Sequence, residues 1–498
     1  MSAPKAIIIG SGIAGLASAI RLAVDGYEVN VYEANDYPGG KLSAFEKEGY
    51  RFDAGPSLFT QPQNIEELFQ CADEPIENYF KYHTVETVCH YFFENGKKLK
   101  TFADKNKLAK SFSEQLGESP QAVIDYLNKA EKLYDNVGTV FLNHSLHKRK
   151  TWFHKRVLHA LKTIRIPYLF GTLHEYNTSK FKTSEAVQLF NRFATYNGSN
   201  PYKAPGMLSL IPHLEQNQGT YYPEGGMISI TNSLYKLAKK KGVIFHFNNK
   251  VDTILQKDSR VSGIVVGGNN IMSNIVVSNG DVYNTYRYLL NHPKKTKQIS
   301  KLERSSSALI FYWGIKKEFS ELGLHNILFS ADYQNEFEHI FNKKTLSTDP
   351  TIYINITSKM ESNHAPENCE NWFVMINAPT NEGQDWSTLV KEAKKSIINK
   401  LNRILNTDIS NFIESETIMD PVLIEQKTGT FKGSLYGSSS NSKFAAFFRP
   451  ANFNTQVKGL YFCGGTVHPG GGIPLCLKSA QITAALIKSD HAKHNRKK

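Results

Sequence analysis

The sequence predicts a mixed α/β fold in which a parallel sheet starts near the N-terminus and a second, interleaved sheet lies in the C-terminal half. Three observations predict it. Ala6-Ile7-Ile8-Ile9 is a short, fully apolar run, as a strand buried on both faces requires. Residues 14–24 then carry helix-compatible periodicity, and Glu28 to Glu33 alternates toward a second strand. Apolar β-like runs recur far downstream, at 305–315 and 372–378.

The elements follow in order. Gly26-Tyr27 ends the first helix, so residues 6–33 form one βαβ unit. Residues 100–190 hold several helical stretches, for example 119–136, and 229–240 reads as helix again. Three β-like runs at 250–256, 261–266 and 271–277, with Gly267-Gly268-Asn269-Asn270 as a turn, predict a small meander. Val276-Val277-Ser278-Asn279-Gly280-Asp281 ends in a turn of the kind that delivers backbone to a ligand. Residues 385–405 read as helix. Gly459-Leu460-Tyr461-Phe462-Cys463 is a strand entering a glycine-rich turn, with a last helix from about residue 475. With no internal repeat or long linker, the domains interleave rather than follow one another.

Composition narrows the class. The chain has 498 residues, 40% apolar and 21% charged, which excludes a disordered protein and leaves room for two or three domains on one large core. No run of about 18 apolar residues occurs, so no spanning helix is expected. Only Lys5 precedes the apolar start, and the glycine spacing explains the first twenty residues better than a signal peptide does. Five cysteines without a CxxC pair argue against a disulfide framework or a zinc site. The net charge of +13 calls for an anionic partner. Residues 147–165 concentrate it: Lys148, Arg149, Lys150, Lys155, Arg156, Lys162 and Arg165 interleave with apolar side chains, and 153, 157, 161 and 164 share one helical face. That pattern fits a helix lying at a membrane interface over 147–170. An ordinary surface helix and a nucleic-acid contact are the competing readings. His491 to Lys498 reads as a disordered basic tail.

The chemistry is concentrated in glycine-rich turns. Gly10, Gly12 and Gly15 fit G-x-G-x-x-G: the first permits the turn, the second lets backbone approach a pyrophosphate, and the third lets helix pack on strand. The helix N-terminus then offers unpaired N–H groups to phosphate. Glu33 follows 18 residues past Gly15, at the end of the next strand, where a carboxylate can accept from ribose hydroxyls. A single fingerprint suggests one dinucleotide. Pro38-Gly39-Gly40-Lys41, just beyond the second strand, favours FAD over NAD, because glycines permit close approach and Lys41 offers a cation.

These residues, with Gly49-Tyr50-Arg51-Phe52-Asp53-Ala54-Gly55-Pro56-Ser57, resemble the phytoene desaturase family of FAD-dependent carotenoid oxidoreductases. Gly464-Gly465-Thr466-Val467-His468-Pro469-Gly470-Gly471-Gly472-Ile473-Pro474 resembles that family's C-terminal flavin signature. Pro223-Glu224-Gly225-Gly226-Met227, Ser278-Asn279-Gly280-Asp281 and Phe448-Arg449-Pro450 also resemble family positions. Within the family, Phe193-Ala194-Thr195-Tyr196-Asn197-Gly198-Ser199 and Ile211-Pro212-His213-Leu214-Glu215-Gln216 look most like the bacterial 1-hydroxycarotenoid 3,4-desaturases of the γ-carotene type. The resemblance implies a Rossmann-like FAD-binding domain of the amine-oxidase and glutathione-reductase type, an interleaved substrate-binding sheet domain and a helical membrane-facing region. It implies that Gly10, Gly12, Ile13, Ala14 and Gly15 cradle the pyrophosphate. Glu33 and Ala34 lie at the adenosine ribose, and Gly39, Gly40, Lys41 and Leu42 run beside the pyrophosphate and ribityl chain. Pro56 and Ser57 lie near the flavin, Val251 meets adenine through its backbone, and Asn279 belongs to the cofactor turn. Gly464, Gly465, Ile473 and Pro474 bracket the ribityl chain and ring.

The implied domains are residues 1–80, 219–285 and 449–490 for FAD, 81–218 as the helical substrate- and membrane-facing region, 286–448 for substrate, and 491–498 as the tail. The implied activity is desaturation of a C40 carotenoid, 3,4-desaturation of a 1-hydroxylated γ-carotene type. It removes a hydride, accepted by flavin, and a proton. Oxygen or a quinone takes the electrons onward, and the enzyme sits in the cytoplasm on the inner face of the membrane. His213, Glu215, Glu224 and His468 are the candidate proton acceptors. No metal cluster and no Ser-His-Asp arrangement is seen. A phytoene desaturase, a redox-neutral carotenoid isomerase, an FAD-linked amine oxidase and a non-catalytic prenyl-protein binder remain the alternatives.

Overall fold

The computed structural model describes residues 3–153, 168, 170–442, 445 and 449–495. Residues 154–167 and 169 of the basic segment, and therefore Lys155, Arg156, Lys162 and Arg165, lie outside the described residues, as do 496–498.

The predicted βαβ unit forms from Lys5–Ile9, the helix Ile13–Val24 and Glu28–Tyr32. It is the centre of a five-stranded parallel sheet ordered Leu460–Phe462, Val276–Ser278, Lys5–Ile9, Glu28–Tyr32, Ile244–His246. The inner strands Lys5–Ile9 and Val276–Ser278 are buried on both faces and read as largely apolar runs, whereas Glu28–Tyr32 alternates and the edge strand Ile244–His246 is partly exposed. Ile228–Lys240 and the last helix, Ile473–Asn495, pack on Ile13–Val24. That last helix carries His491 to a hydrogen bond with Tyr27 (3.0 Å), so residues 491–495 continue the helix where sequence reading expected a disordered tail. The apolar contact of this helix with the core holds its polar end in register.

The meander is present as Val251–Lys257, Arg260–Val266 and Asn269–Met272, with the turn reduced to Gly267-Gly268. The run 271–277 does not stay whole. Asn269–Met272 completes the meander, and Val276–Ser278 leaves it to pair between Lys5–Ile9 and Leu460–Phe462. Short apolar runs cannot reveal that break, because both halves are β-compatible and only the distant partners differ.

The second sheet has seven strands: Ile413–Met419, Ser307–Ile315, Glu370–Ala378, Ile352–Ile356, His325–Leu328, Thr87–Phe92 and Lys98–Phe102. Neighbours are antiparallel except His325–Leu328 against Thr87–Phe92. Its last two strands, Thr87–Phe92 and the edge strand Lys98–Phe102, come from within the span expected to be helical. Along Ser307–Ile315 the faces alternate. Leu309, Phe311, Trp313 and Ile315 join a core that includes Ile397 and Leu401 of the helix Trp386–Leu405. Ala308, Ile310 and Tyr312 face the other way, beside Tyr50, Phe52 and Phe373. Both faces are buried, so the period of two is invisible in the sequence. Helices Lys105–Leu116, Pro120–Leu133 and Ser184–Asn191 cover the far end with a third apolar cluster that includes Phe112, Tyr126 and Phe190. No helix among the described residues is long and apolar enough to cross a membrane.

Candidate active site

One cavity of about 1550 Å³ runs from the carboxyl ends of the parallel strands across the inner face of the seven-stranded sheet. Its first half is the crevice where parallel α/β sheets bind ligands. Gly12 caps the first helix without a side-chain hydrogen bond, so its opening turn presents N–H groups to this crevice. Gly15 does not line the cavity. A Cβ there would stand 2.2 Å from the Gly10 carbonyl oxygen, so its role is the close packing of helix on strand.

Asn279 explains why two sets of glycines, at opposite ends of the chain, occupy one place. Its backbone N–H donates to the Ile9 carbonyl (2.8 Å) and its amide Nδ2 donates to the Cys463 carbonyl (3.2 Å). A Cβ on Gly12 would lie 2.7 Å from Asn279 Oδ1, and one on Gly464 would lie 2.6 Å from Nδ2. One amide side chain therefore bridges both glycine turns and excludes any side chain from either.

The structure brings the expected cofactor residues together. Gly10, Gly12, Ile13 and Ala14 line the cavity with Glu33, Ala34, Gly39, Gly40, Lys41 and Leu42. Pro56, Ser57, Val251, Asn279, Gly464, Gly465, Ile473 and Pro474 complete that wall. Glu33 is buried; Oε2 accepts from Ser11 N (2.7 Å) and Ser11 Oγ (2.8 Å), and Oε1 from Asn35 N (3.0 Å). A carboxylate so held keeps acceptor capacity for ribose hydroxyls. Uncapped N–H groups, an oriented carboxylate and bare backbone at the glycines are the donor and acceptor set a flavin dinucleotide needs, so the residues fit FAD.

Lys41 adds a cation. Its Nζ donates to the Leu435 carbonyl (2.6 Å), and burial pushes its pKa down to about 8. Arg449, also fully buried, clamps the neighbouring loops through carbonyls: NH1 to Tyr436 (2.9 Å) and Gly465 (3.3 Å), NH2 to Ser438 (2.8 Å). Asp281 receives Arg304 (2.5 Å), just before the strand Ser307–Ile315, and the N–H of Phe431 (3.1 Å), in the short helix Phe431–Gly433. Asp53 accepts from Met227 N (3.0 Å) and Ile228 N (3.2 Å), so the segment 49–57 caps the helix that follows Pro223 to Met227.

The candidate proton acceptors separate. Only Glu215 lines the cavity. Its carboxylate is engaged by Arg192 NH2 (3.1 and 3.2 Å), Gln216 Nε2 (2.6 Å) and the Tyr196 hydroxyl. His213 is outside the wall, between Asn217 (2.9 Å) and Gln218 (3.1 Å). Glu224 is exposed and pairs with His83 (2.9 Å). His468 is buried behind the glycine turn, its Nε2 donating to the His144 carbonyl (2.9 Å), and burial pushes its pKa down to about 4. Sequence reasoning passed over Arg192, Tyr333, His325 and Tyr353, which line the second half of the cavity. Arg192 immediately precedes the run 193–199 that carried the resemblance, but nothing local marks the others.

Two outcomes follow. Gly12→Ala lowers thermal stability through its contact with Asn279. In the Gly12→Ala/Asn279→Ala double variant the losses are less than additive by about 1 kcal/mol. Gly15→Ala shows no such relief when combined with Asn279→Ala, because backbone at Gly10 blocks it; melting curves of wild type, the three single variants and the two doubles decide. Lys41 has a folded pKa below that of the free side chain, so folding without a ligand disfavours its charged form at pH values under about 8. An anionic cofactor favours that charged form. FAD affinity therefore falls as pH rises through about 8 in the wild type, and Lys41→Met flattens that slope in an equilibrium titration.

Residues 13–488 match the family described as flavin containing amine oxidoreductase. The chain is 51% identical over 490 residues, 98% of its length and 100% of the relative's, to a 1-hydroxycarotenoid 3,4-desaturase of a Flavobacterium species. It is 31% identical over 494 residues, 98% of each chain, to a 4,4'-diaponeurosporene oxygenase of Staphylococcus haemolyticus. A solved cyclohexylamine oxidase from Brevibacterium oxydans superposes with a TM-score of 0.61 at 14% identity, covering 99% of this chain and 100% of that one, which is a likeness of fold alone. The chain belongs to the flavin-containing amine oxidoreductase family and is an FAD-dependent oxidoreductase.

Proposed function

We propose that this oxidoreductase is a carotenoid desaturase that introduces the 3,4 double bond of a 1-hydroxylated, γ-carotene-type C40 carotenoid. The observation that carries this reading is the full-length, 51% identical relative named for that reaction. The site supports it. A cavity of about 1550 Å³ exceeds the roughly 300–1,000 Å³ of ordinary small-ligand sites, so it accommodates a second, long ligand beside the dinucleotide. The wall beyond the flavin residues is contributed largely by apolar side chains such as Ile310, Ile327, Phe373 and Met375, which suit a polyene better than an amine.

Bound FAD supplies the two-electron oxidant that takes a hydride from the allylic carbon. The chain supplies the rest. The glycine turns and Asn279 set the position of the cofactor, and the inner sheet face excludes water. Arg192 and Glu215 form a pair without net charge inside an apolar wall. Glu215 answers the Arg192 charge and, as the one of the four candidate acceptors on the cavity wall, takes the substrate proton. Oxygen or a quinone would be the final electron acceptor.

Substrate enters from the bilayer in this reading. Trp152 and Phe153, next to Lys148, Arg149 and Lys150, are 38% and 82% exposed, and Phe170 at the other end of the basic segment is 58% exposed. Large apolar groups left in water beside cations suit acyl chains and phosphate headgroups.

Purified protein loaded with FAD, offered 1-hydroxy-γ-carotene and phytoene separately in liposomes, removes two hydrogens only from the hydroxylated substrate, read by HPLC. Conversion of phytoene alone moves the substrate, and peroxide release from amines without polyene conversion overturns the reading. Replacing Lys148, Arg149, Lys155 and Arg156 with glutamate lowers co-sedimentation with anionic vesicles severalfold; unchanged sedimentation removes the membrane contact.

A further inference from the structure

Three side chains of the cavity wall carry a buried polar atom with no hydrogen-bond partner among the described residues: Arg192 Nε, His325 Nε2 and Tyr333 Oη. Eighteen buried side-chain atoms among the described residues lack a partner, and these three are set apart by lining the cavity, where a ligand can complete them. They also belong to one cluster. Arg192 NH2 donates to Tyr91 Oη (2.9 Å), whose ring stacks on Phe329, and the Tyr333 ring meets Phe329 edge to face. The Arg192 charge acts on both His325 and Tyr333.

The chemistry of the missing group follows from proton positions. The Asn355 amide is oriented by its Nδ2 donating to the Leu324 carbonyl (3.0 Å), and the same Nδ2 contacts His325 Nδ1 at 3.2 Å. An amide nitrogen only donates, so His325 Nδ1 is the acceptor. Burial and the nearby Arg192 keep this imidazole neutral through the physiological range. A neutral ring has one proton, and it is therefore on Nε2, facing no partner. Tyr353 Oη contacts the same Nδ1 (2.8 Å) and Ser57 Oγ (2.8 Å). With Nδ1 an acceptor, the chain of donors runs from Ser57 through Tyr353 to His325. It links the expected flavin side of the cavity to the orphan Nε2–H. The wall thus offers two N–H donors and one hydroxyl that donates or accepts. Glu215 neutralises Arg192, so the cluster carries no net charge for an ammonium or a carboxylate to answer.

We propose that Arg192, His325 and Tyr333 form a subsite for a neutral hydroxyl group at the end of the substrate chain. It rests on the carotenoid reading above and names the residues that select the hydroxylated molecule. A hydroxyl oxygen accepts from the imidazole and guanidinium N–H groups, and its proton meets the tyrosine oxygen. The hydroxyl-bearing C1 is one carbon removed from the reacting C3–C4 bond, so gripping it also sets which bond stands at the flavin. A site with unpaired buried donors rejects an analogue lacking the hydroxyl, because binding that analogue leaves the donors unsatisfied.

The test separates binding from turnover. FAD-loaded full-length wild type, Tyr333→Phe and His325→Phe are titrated with 1-hydroxy-γ-carotene and with γ-carotene in detergent, following fluorescence quenching; products are then read by HPLC from the same samples. Each variant lowers affinity for the hydroxylated carotenoid about tenfold and leaves affinity for γ-carotene unchanged or higher. Tyr333→Phe removes an unpartnered hydroxyl, so its melting temperature without carotenoid does not fall, which guards against a folding artefact. Equal wild-type affinity for the two carotenoids overturns the subsite. So does a preference that survives in Tyr333→Phe, or a parallel loss of both affinities. Wild type that prefers the hydroxylated molecule, loses that preference in the variants and yet converts neither carotenoid leaves the subsite standing and removes the desaturase reading instead.

Discussion

The architecture depends on the seating of Asn279 between two glycine turns whose Gly12 and Gly464 are 452 residues apart in the chain. The strand Val276–Ser278 lies between the N-terminal strand and Leu460–Phe462, and Asn279 leaves it with its amide wedged against Gly12 and Gly464. Backbone at those glycines can then stand open to a dinucleotide while the chain termini are locked together. The last helix gains its alignment from the same junction, since Ser479 Oγ accepts from Gly464 N (3.1 Å) and donates to the His468 carbonyl (2.9 Å). The chain order follows from this: with the cradle made from both ends, the seven-stranded sheet is built from strands between them.

Beyond the cradle the controlling quantity is desolvation. Lys41, Arg449 and Arg192 are all removed from water, and each is answered differently. Lys41 and Arg449 face carbonyl oxygens and respond to burial by a lowered pKa, to about 8 and about 10. That arrangement leaves positive potential for an anionic cofactor to neutralise. Arg192 instead meets a carboxylate and a ring of tyrosines, so its half of the cavity is neutral. One continuous space therefore has a cationic end and a neutral end, and the two ends suit two chemically different ligands.

Much of the cofactor half was legible in the sequence. Glycine spacing, the acidic residue after the second strand and the second glycine turn are local signals, because each states a steric or hydrogen-bonding need of the backbone beside it. Gly15 packs helix on strand as its position implies, and Glu33 lines the cavity at the end of the second strand. The substrate half was far less legible. His325, Tyr333 and Tyr353 come from two strands and a short helix of one sheet region, and Arg192 and Glu215 from the helical cover; their side chains meet only across the fold. The four acid–base candidates were chosen by residue type, and burial behind the turn (His468), exposure (Glu224) or engagement with neighbouring amides (His213) keeps three of them away from the cavity.

The sequence by itself determined the βαβ start, the meander's first two strands, the closing strand and helix, and the flavin dinucleotide that the glycines require. Each is set by interactions between near neighbours, or by a turn that tolerates no side chain. Tertiary structure alone decided that residues 271–277 divide between two sheets, that Thr87–Phe92 and Lys98–Phe102 join one end of the seven-stranded sheet, and which polar groups face the cavity. Those outcomes depend on strand partners hundreds of residues away. In a sheet buried on both faces, apolar patterning does not record which side each residue faces.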